Sequence, residues 1–165
     1  MLPEDARHKR AGSDASPQRE AQDVALGLIA AELGLPGIQP ERRFRLGQGH
    51  AIVDAFAETP AEVFLIEVNA RVGSRMKTAT RNKVLKDAFK MLAIAKRHRD
   101  AWQDKSVRKV LVFLDNEARA SFGAGSWARQ AFEDFGIETH VCSVPDYLHQ
   151  ALVAAQIRQD LRVDG

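Results

Sequence analysis

Two carboxylates stand inside otherwise apolar runs of this chain. Asp54 interrupts Ile52-Val53-Asp54-Ala55-Phe56, and Glu67 interrupts Phe64-Leu65-Ile66-Glu67-Val68. An ionised carboxylate inside an apolar strand is costly unless a cation compensates it, either a basic side chain or a divalent metal. Two carboxylates plus water suit Mg2+, which keeps several waters and binds phosphate oxygens. If the two runs are neighbouring strands, a short connection brings both acids into one place. Strand alternation then puts Glu67 and Asn69 on one face, above Leu65, and Arg71 continues that face if the strand persists. The competing reading pairs both acids with Arg43 or Arg45 on the adjacent strand as structural salt bridges.

Charge is uneven around this pair. Over residues 71–110 there are thirteen basic residues and three acids, although the whole chain has 24 Lys plus Arg against 22 Asp plus Glu and a net charge of +2. A local excess of this size is an electrostatic footprint for a polyanion. Lys83, Lys86, Lys90 and Arg97 fall on one side of a helix predicted over about Thr78 to Arg99. They lie away from its apolar stripe of Val84, Leu85, Ala88, Met91, Leu92 and Ala95.

The elements that must position these residues follow from periodicity. Residues 1–17 are polar and read as a mobile tail, and residues 18–165 as one α/β domain. Val24, Leu26, Leu28, Ile29 and Leu33 recur at helical spacing from about Gln18, and Gly34 with Pro36 stops that helix. Three strands follow, around Arg43–Leu46, His50–Ala57 and Val63–Ala70, the third continuously apolar up to Glu67, as in a strand covered on both faces. After the long helix come a strand at Val107–Leu114, a helix at Ser126–Phe135, a strand at Thr139–Val144 and a helix at Asp146–Leu161. A three-strand meander followed by alternating helices and strands implies a mixed central sheet of about five strands flanked by helices.

Asp54, the Glu67-Val68-Asn69 triplet and this element order together resemble the PD-(D/E)XK nuclease superfamily over about residues 18–145. The resemblance implies a restriction-endonuclease-like αβββαβ core and metal-dependent phosphodiester hydrolysis. Asp54 matches the family's Asp on the second strand. Glu67-Val68-Asn69 matches its acidic-x-Lys motif, with Asn69 where the lysine is expected. Glu20 sits where many members carry a further acid. On this resemblance Asp54 and Glu67, with Glu20, hold Mg2+ or Mn2+, and a lysine displaced from Asn69 assists; Lys77 is the first choice and Lys83 the second. Arg71, Arg75, Lys77, Arg81, Lys83, Lys86 and Lys90 would contact the phosphates of a nucleic acid, DNA before RNA. The alternative is a member that binds nucleic acid or joins a complex without cleaving, marked by Asn69. A homodimer also fits, because one active site of this kind addresses one strand.

Other residues carry blander expectations. From its position alone Glu20 reads as an exposed first-turn acid favoured by the helix dipole rather than a ligand. His50 reads as a turn histidine, Asp115-Asn116-Glu117 as a turn and helix cap, and the lone Cys142 as a small core residue. Trp102 and Trp127 could stack bases, but burial or a partner surface is the expectation. No P-loop, GxGxxG, HExxH or nucleophile elbow occurs. No apolar run reaches the ~18 residues of a membrane span, no secretory signal opens the chain, and a cytoplasmic protein is expected.

Overall fold

The computed structural model describes residues 15–73 and 76–163 of the chain. Its elements run α1 (Ser16–Glu32), β1 (Gln39–Leu46), β2 (Gly49–Glu58), β3 (Glu62–Asn69), α2 (Thr78–Arg97), β4 (Ser106–Phe113), α3 (Asn116–Ala120), α4 (Trp127–Asp134), β5 (Ile137–Val141) and α5 (Asp146–Val163). The five strands form one sheet in the order β1-β2-β3-β4-β5. β1, β2 and β3 pair antiparallel, while β3 with β4 and β4 with β5 pair parallel. The mixed sheet expected from the element order is therefore present. Parallel pairing of β3 with β4 requires the α2 crossover, since parallel strands cannot be joined by a tight turn.

Helices cover both faces. Ala21, Ala25, Leu26 and Ile29 of α1, with Leu148 and Leu152 of α5, pack on Ala55, Ala57, Phe64, Ile66, Val68, Val110 and Val112. On the other face Val84, Ala88, Met91 and Ile94 of α2, with Ala118 of α3 and Ala128 and Phe132 of α4, pack on Val53, Phe56, Val63, Leu65, Leu111 and Phe113. β3 is the central strand, buried from Val63 to Asn69. That is why it reads as a continuous apolar run broken only by Glu67.

Several local details differ from expectation, among them β5, which runs over Ile137–Val141 rather than Thr139–Val144 because Ile137 already pairs with Lys109. α1 starts at Ser16, so Ser16 and Pro17 belong to the helix and not to the tail; Pro17 sits in the first turn, where its missing N–H costs nothing. Leu28 of the expected apolar stripe is 42% exposed, and Ala21 and Ala25 take the buried face instead. β1 begins at Gln39, before the expected Arg43, because Gln39 and Pro40 already pair with Phe56 and Ala55. The short α3 was expected only as a turn and cap. Asp115 does cap it, accepting from the Ala118 N–H at 2.6 Å.

Candidate functional site

The apolar alternation of β2 changes phase at one residue. Ala55 and Ala57 face the α1/α5 layer, whereas Val53 and Phe56 face the α2 layer. Asp54 sits at that switch, and the β2–β3 ladder ends beside it, at Ala55 with Ile66. Its carboxylate replaces the missing backbone acceptor: Oδ2 accepts from the Val68 N–H at 2.8 Å. This bond ties the acid of β2 to the strand that carries Glu67.

Glu67 is 2% exposed, on the β3 face that meets α2. Its Oε1 lies 2.6 Å from Lys90 Nζ of α2, although no donor meets that oxygen in hydrogen-bonding geometry. Lys90 also contacts Asp87 Oδ1 at 3.1 Å, and Lys83 contacts Asp87 Oδ2 at 2.7 Å. Two turns of α2 thus carry a chain of contacts from Lys83 through Asp87 to Lys90, which meets the β3 acid. Among the described residues, neither Arg43 nor Arg45 pairs with Asp54 or Glu67; the Arg45 Nε–H donates to the Gly47 carbonyl instead.

The electrostatics follow from this crowding. Burial raises Glu67 from the usual 4.5 to about 9, the charges of Asp54 and Asp87 push the same way, and Lys90 opposes them. Burial pulls the Lys90 ammonium down, but Glu67 and Asp87 outweigh it and hold it above the ordinary lysine value. The two shifts compete, because a proton on Glu67 removes one support of the charged Lys90. The Glu67 shift is the primary one. Burial and two carboxylates act on Glu67 whatever Lys90 does, while Asp87 still holds Lys90 as an ammonium.

Asp54 opens onto a cleft of about 500 Å³, walled by Gln18 and Gln22 of α1, Val68 to Arg71 after β3, Ala79, Thr80 and Lys83 of α2, and Gln156 and Gln159 of α5. Two polar atoms in this wall are buried without a partner: Gln18 Oε1 and Asn69 Nδ2. Asn69 is only 8% exposed. The chain beyond β3 is held in place from α5, since Gln156 accepts from the Val72 N–H at 3.0 Å and donates to the Val72 carbonyl at 3.1 Å. Asp115 adds a second anchor, accepting from the Gly73 N–H at 2.8 Å. The N-terminus of α2 has no side-chain cap hydrogen bond.

The structure brings together Asp54, Asn69, Arg71 and Lys83 at the cleft, and Glu67 with Lys90 beneath it. Other expected site residues lie elsewhere. Lys77 pairs with Asp160 of α5 at 2.8 Å, both about half exposed. Glu20 accepts from the Tyr147 hydroxyl at 3.0 Å on the surface. Arg81 lies over the Phe122 ring at 5.8 Å. Lys86 is exposed on the outer face of α2, and Arg75 lies outside the described residues. Residues of the site missed in the sequence include Gln18, Gln156, Asp87, and Lys90 as the partner of Glu67. The available signal was the spacing of Asp87, four residues after Lys83 and three before Lys90. Trp102 is buried as expected, but Trp127 is 72% exposed.

The residues present fit a hard divalent cation. Among the described residues no three Asp, Glu, His or Cys side chains converge on one metal position. Mg2+ does not require that, because it is held through one or two carboxylates, waters and substrate oxygens. Asp54 and Glu67 supply the carboxylates and Gln18 Oε1 is an unspent neutral oxygen; the charges of Asp54 and Asp87, which add to burial in raising Glu67, are what a cation would take up.

The five-strand mixed sheet with its α2 crossover and helices on both faces is consistent with a restriction-endonuclease-like α/β fold. A solved XisH family protein from Nostoc punctiforme has a similar structure, with a TM-score of 0.51 and 11% identity over 78% of this chain and 91% of that one. No family model and no curated protein matches the sequence. No helix among the described residues is long and apolar enough to cross a membrane.

Proposed function

We propose that the protein is a metal-dependent nuclease that hydrolyses phosphodiester bonds, with DNA as the first substrate to test. The observation that carries this reading is the buried Glu67–Lys90 pair beside the cleft that holds Asp54. Asp54 and Glu67 would hold Mg2+ or Mn2+, with Gln18 as a neutral ligand. When bound, the metal lowers the pKa of its water and stabilises charge on phosphate oxygens. Lys90 takes the place that Asn69 leaves empty. It enters from α2 rather than from β3, and as an ammonium it offsets charge that develops on the phosphate. Lys83 is the second such cation, on the cleft wall. The Asn69 amide donates to a phosphate oxygen, Arg71 binds a neighbouring phosphate, and Asp87 holds both lysines in place.

The test is cleavage of labelled duplex and single-stranded DNA, and of RNA, in Mg2+, Mn2+ or EDTA. Glu67→Gln is expected to abolish metal-dependent cutting. Lys90→Met is expected to slow it ~100-fold or more, as for loss of one transition-state donor. Lys77→Ala removes only an exposed ion pair and should change the rate by less than about 2-fold. Absence of cutting on every substrate, with salt-sensitive binding retained, would leave a nuclease-like fold that binds without cleaving.

A further inference from the structure

The outer face of α2 carries a phenyl group among cations. Phe89 is 74% exposed, more than any other large apolar residue described. Helical spacing places Lys86, Ala93, Lys96 and Arg97 on the same face, at i−3, i+4, i+7 and i+8. Lys86, Lys96 and Arg97 are exposed, and among the described residues none of them has an acidic partner. The one acid of α2, Asp87, is occupied by Lys83 and Lys90. A single exposed apolar residue is ordinary on a protein surface. A phenyl ring rimmed by unpaired cations, next in sequence to the lysine on Glu67, has a specific chemistry: a π-face for a base and charges for its flanking phosphates.

From this face we infer that Phe89 is a base-stacking platform that favours unpaired strands over intact duplex. The inference rests on the nuclease reading and adds the form of its substrate. A base in a duplex is covered above and below by its neighbours, so only a single strand, a flap or a frayed end can offer a free face to Phe89. Lys86, Lys96 and Arg97 hold the backbone on either side without reading sequence. A protein partner fits the face less well, since it would have to bring acids to match the basic rim.

The experiment is fluorescence polarisation of the full chain with a labelled 20-nucleotide oligo-dT and with the same strand paired to oligo-dA, in EDTA at one salt concentration. Stacking worth ~1–3 kcal/mol per base predicts that Phe89→Ala weakens single-strand binding about 5- to 150-fold. Duplex binding should change by less than about 2-fold, since stacking contributes nothing there. Phe89→Trp should retain affinity and add fluorescence quenching that the wild type lacks. Trp127→Ala, an exposed aromatic whose helix pairs its own Arg129 with Glu133, should leave both affinities unchanged. Equal weakening on both substrates, no weakening at all, or a Phe89-dependent dimer with unchanged strand binding overturns the platform. Binding in EDTA is read apart from cutting. Cleavage with an unaffected Phe89→Ala overturns the platform alone, and stacking without cleavage overturns the nuclease alone.

Discussion

At the residue scale the pivotal group is Glu67. Its carboxyl is raised from 4.5 to about 9, by burial first and then by Asp54 and Asp87. Between those values the folded chain keeps a proton that the unfolded chain has lost. The folded state then binds more protons, so stability is expected to fall as pH rises through that window. Thermal unfolding followed from pH 5 to pH 9 in EDTA should show this decline, and Glu67→Gln should flatten it. The same proton must leave when a cation binds, so Mg2+ affinity should rise with pH. The sequence makes Glu67 conspicuous because it breaks an apolar run. Lys90 was visible there only as one of many lysines, since nothing local links it to a residue 23 positions earlier on another element.

At the element scale the site depends on the chain just past β3. β3 ends at Asn69, yet Val72 is bonded through both its N–H and its carbonyl by Gln156. That glutamine acts as a short stand-in for a neighbouring strand and holds Arg71 at the cleft. Gln156→Ala leaves a buried N–H and carbonyl unpaired. It is expected to cost about 1–3 kcal/mol in urea unfolding and to weaken DNA binding through Arg71. Nothing in the sequence marked Gln156, because an amide on the polar side of a helix has no periodic signature. The strands themselves were legible. Alternation and apolar runs located β2 and β3 to within two residues, since burial on a covered sheet leaves a strong pattern. The phase change at Asp54 was visible only as an acid in an apolar run; the sheet shows that the acid sits where β2 and β3 part.

At the scale of the whole molecule, half of the charge excess of residues 71–110 lies on α2, which covers one face of the sheet. Four contacted phosphates at about −0.7 each give a slope near −3 in a plot of log affinity against log salt for single-stranded DNA. Lys86→Ala is expected to reduce that slope by about 1. A slope near zero would show that the basic face does not meet a polyanion. The sequence by itself determined the class of fold, the two acids and the basic helix, because each is written in local periodicity or local composition. Only the tertiary structure decided which cation meets Glu67, and that Gln18 rather than Glu20 faces the cleft. It also placed Lys77 on Asp160. The physical reason is range: burial and alternation act on neighbours in the chain, whereas a side-chain pair across a sheet–helix contact depends on packing angles that no short stretch of sequence encodes.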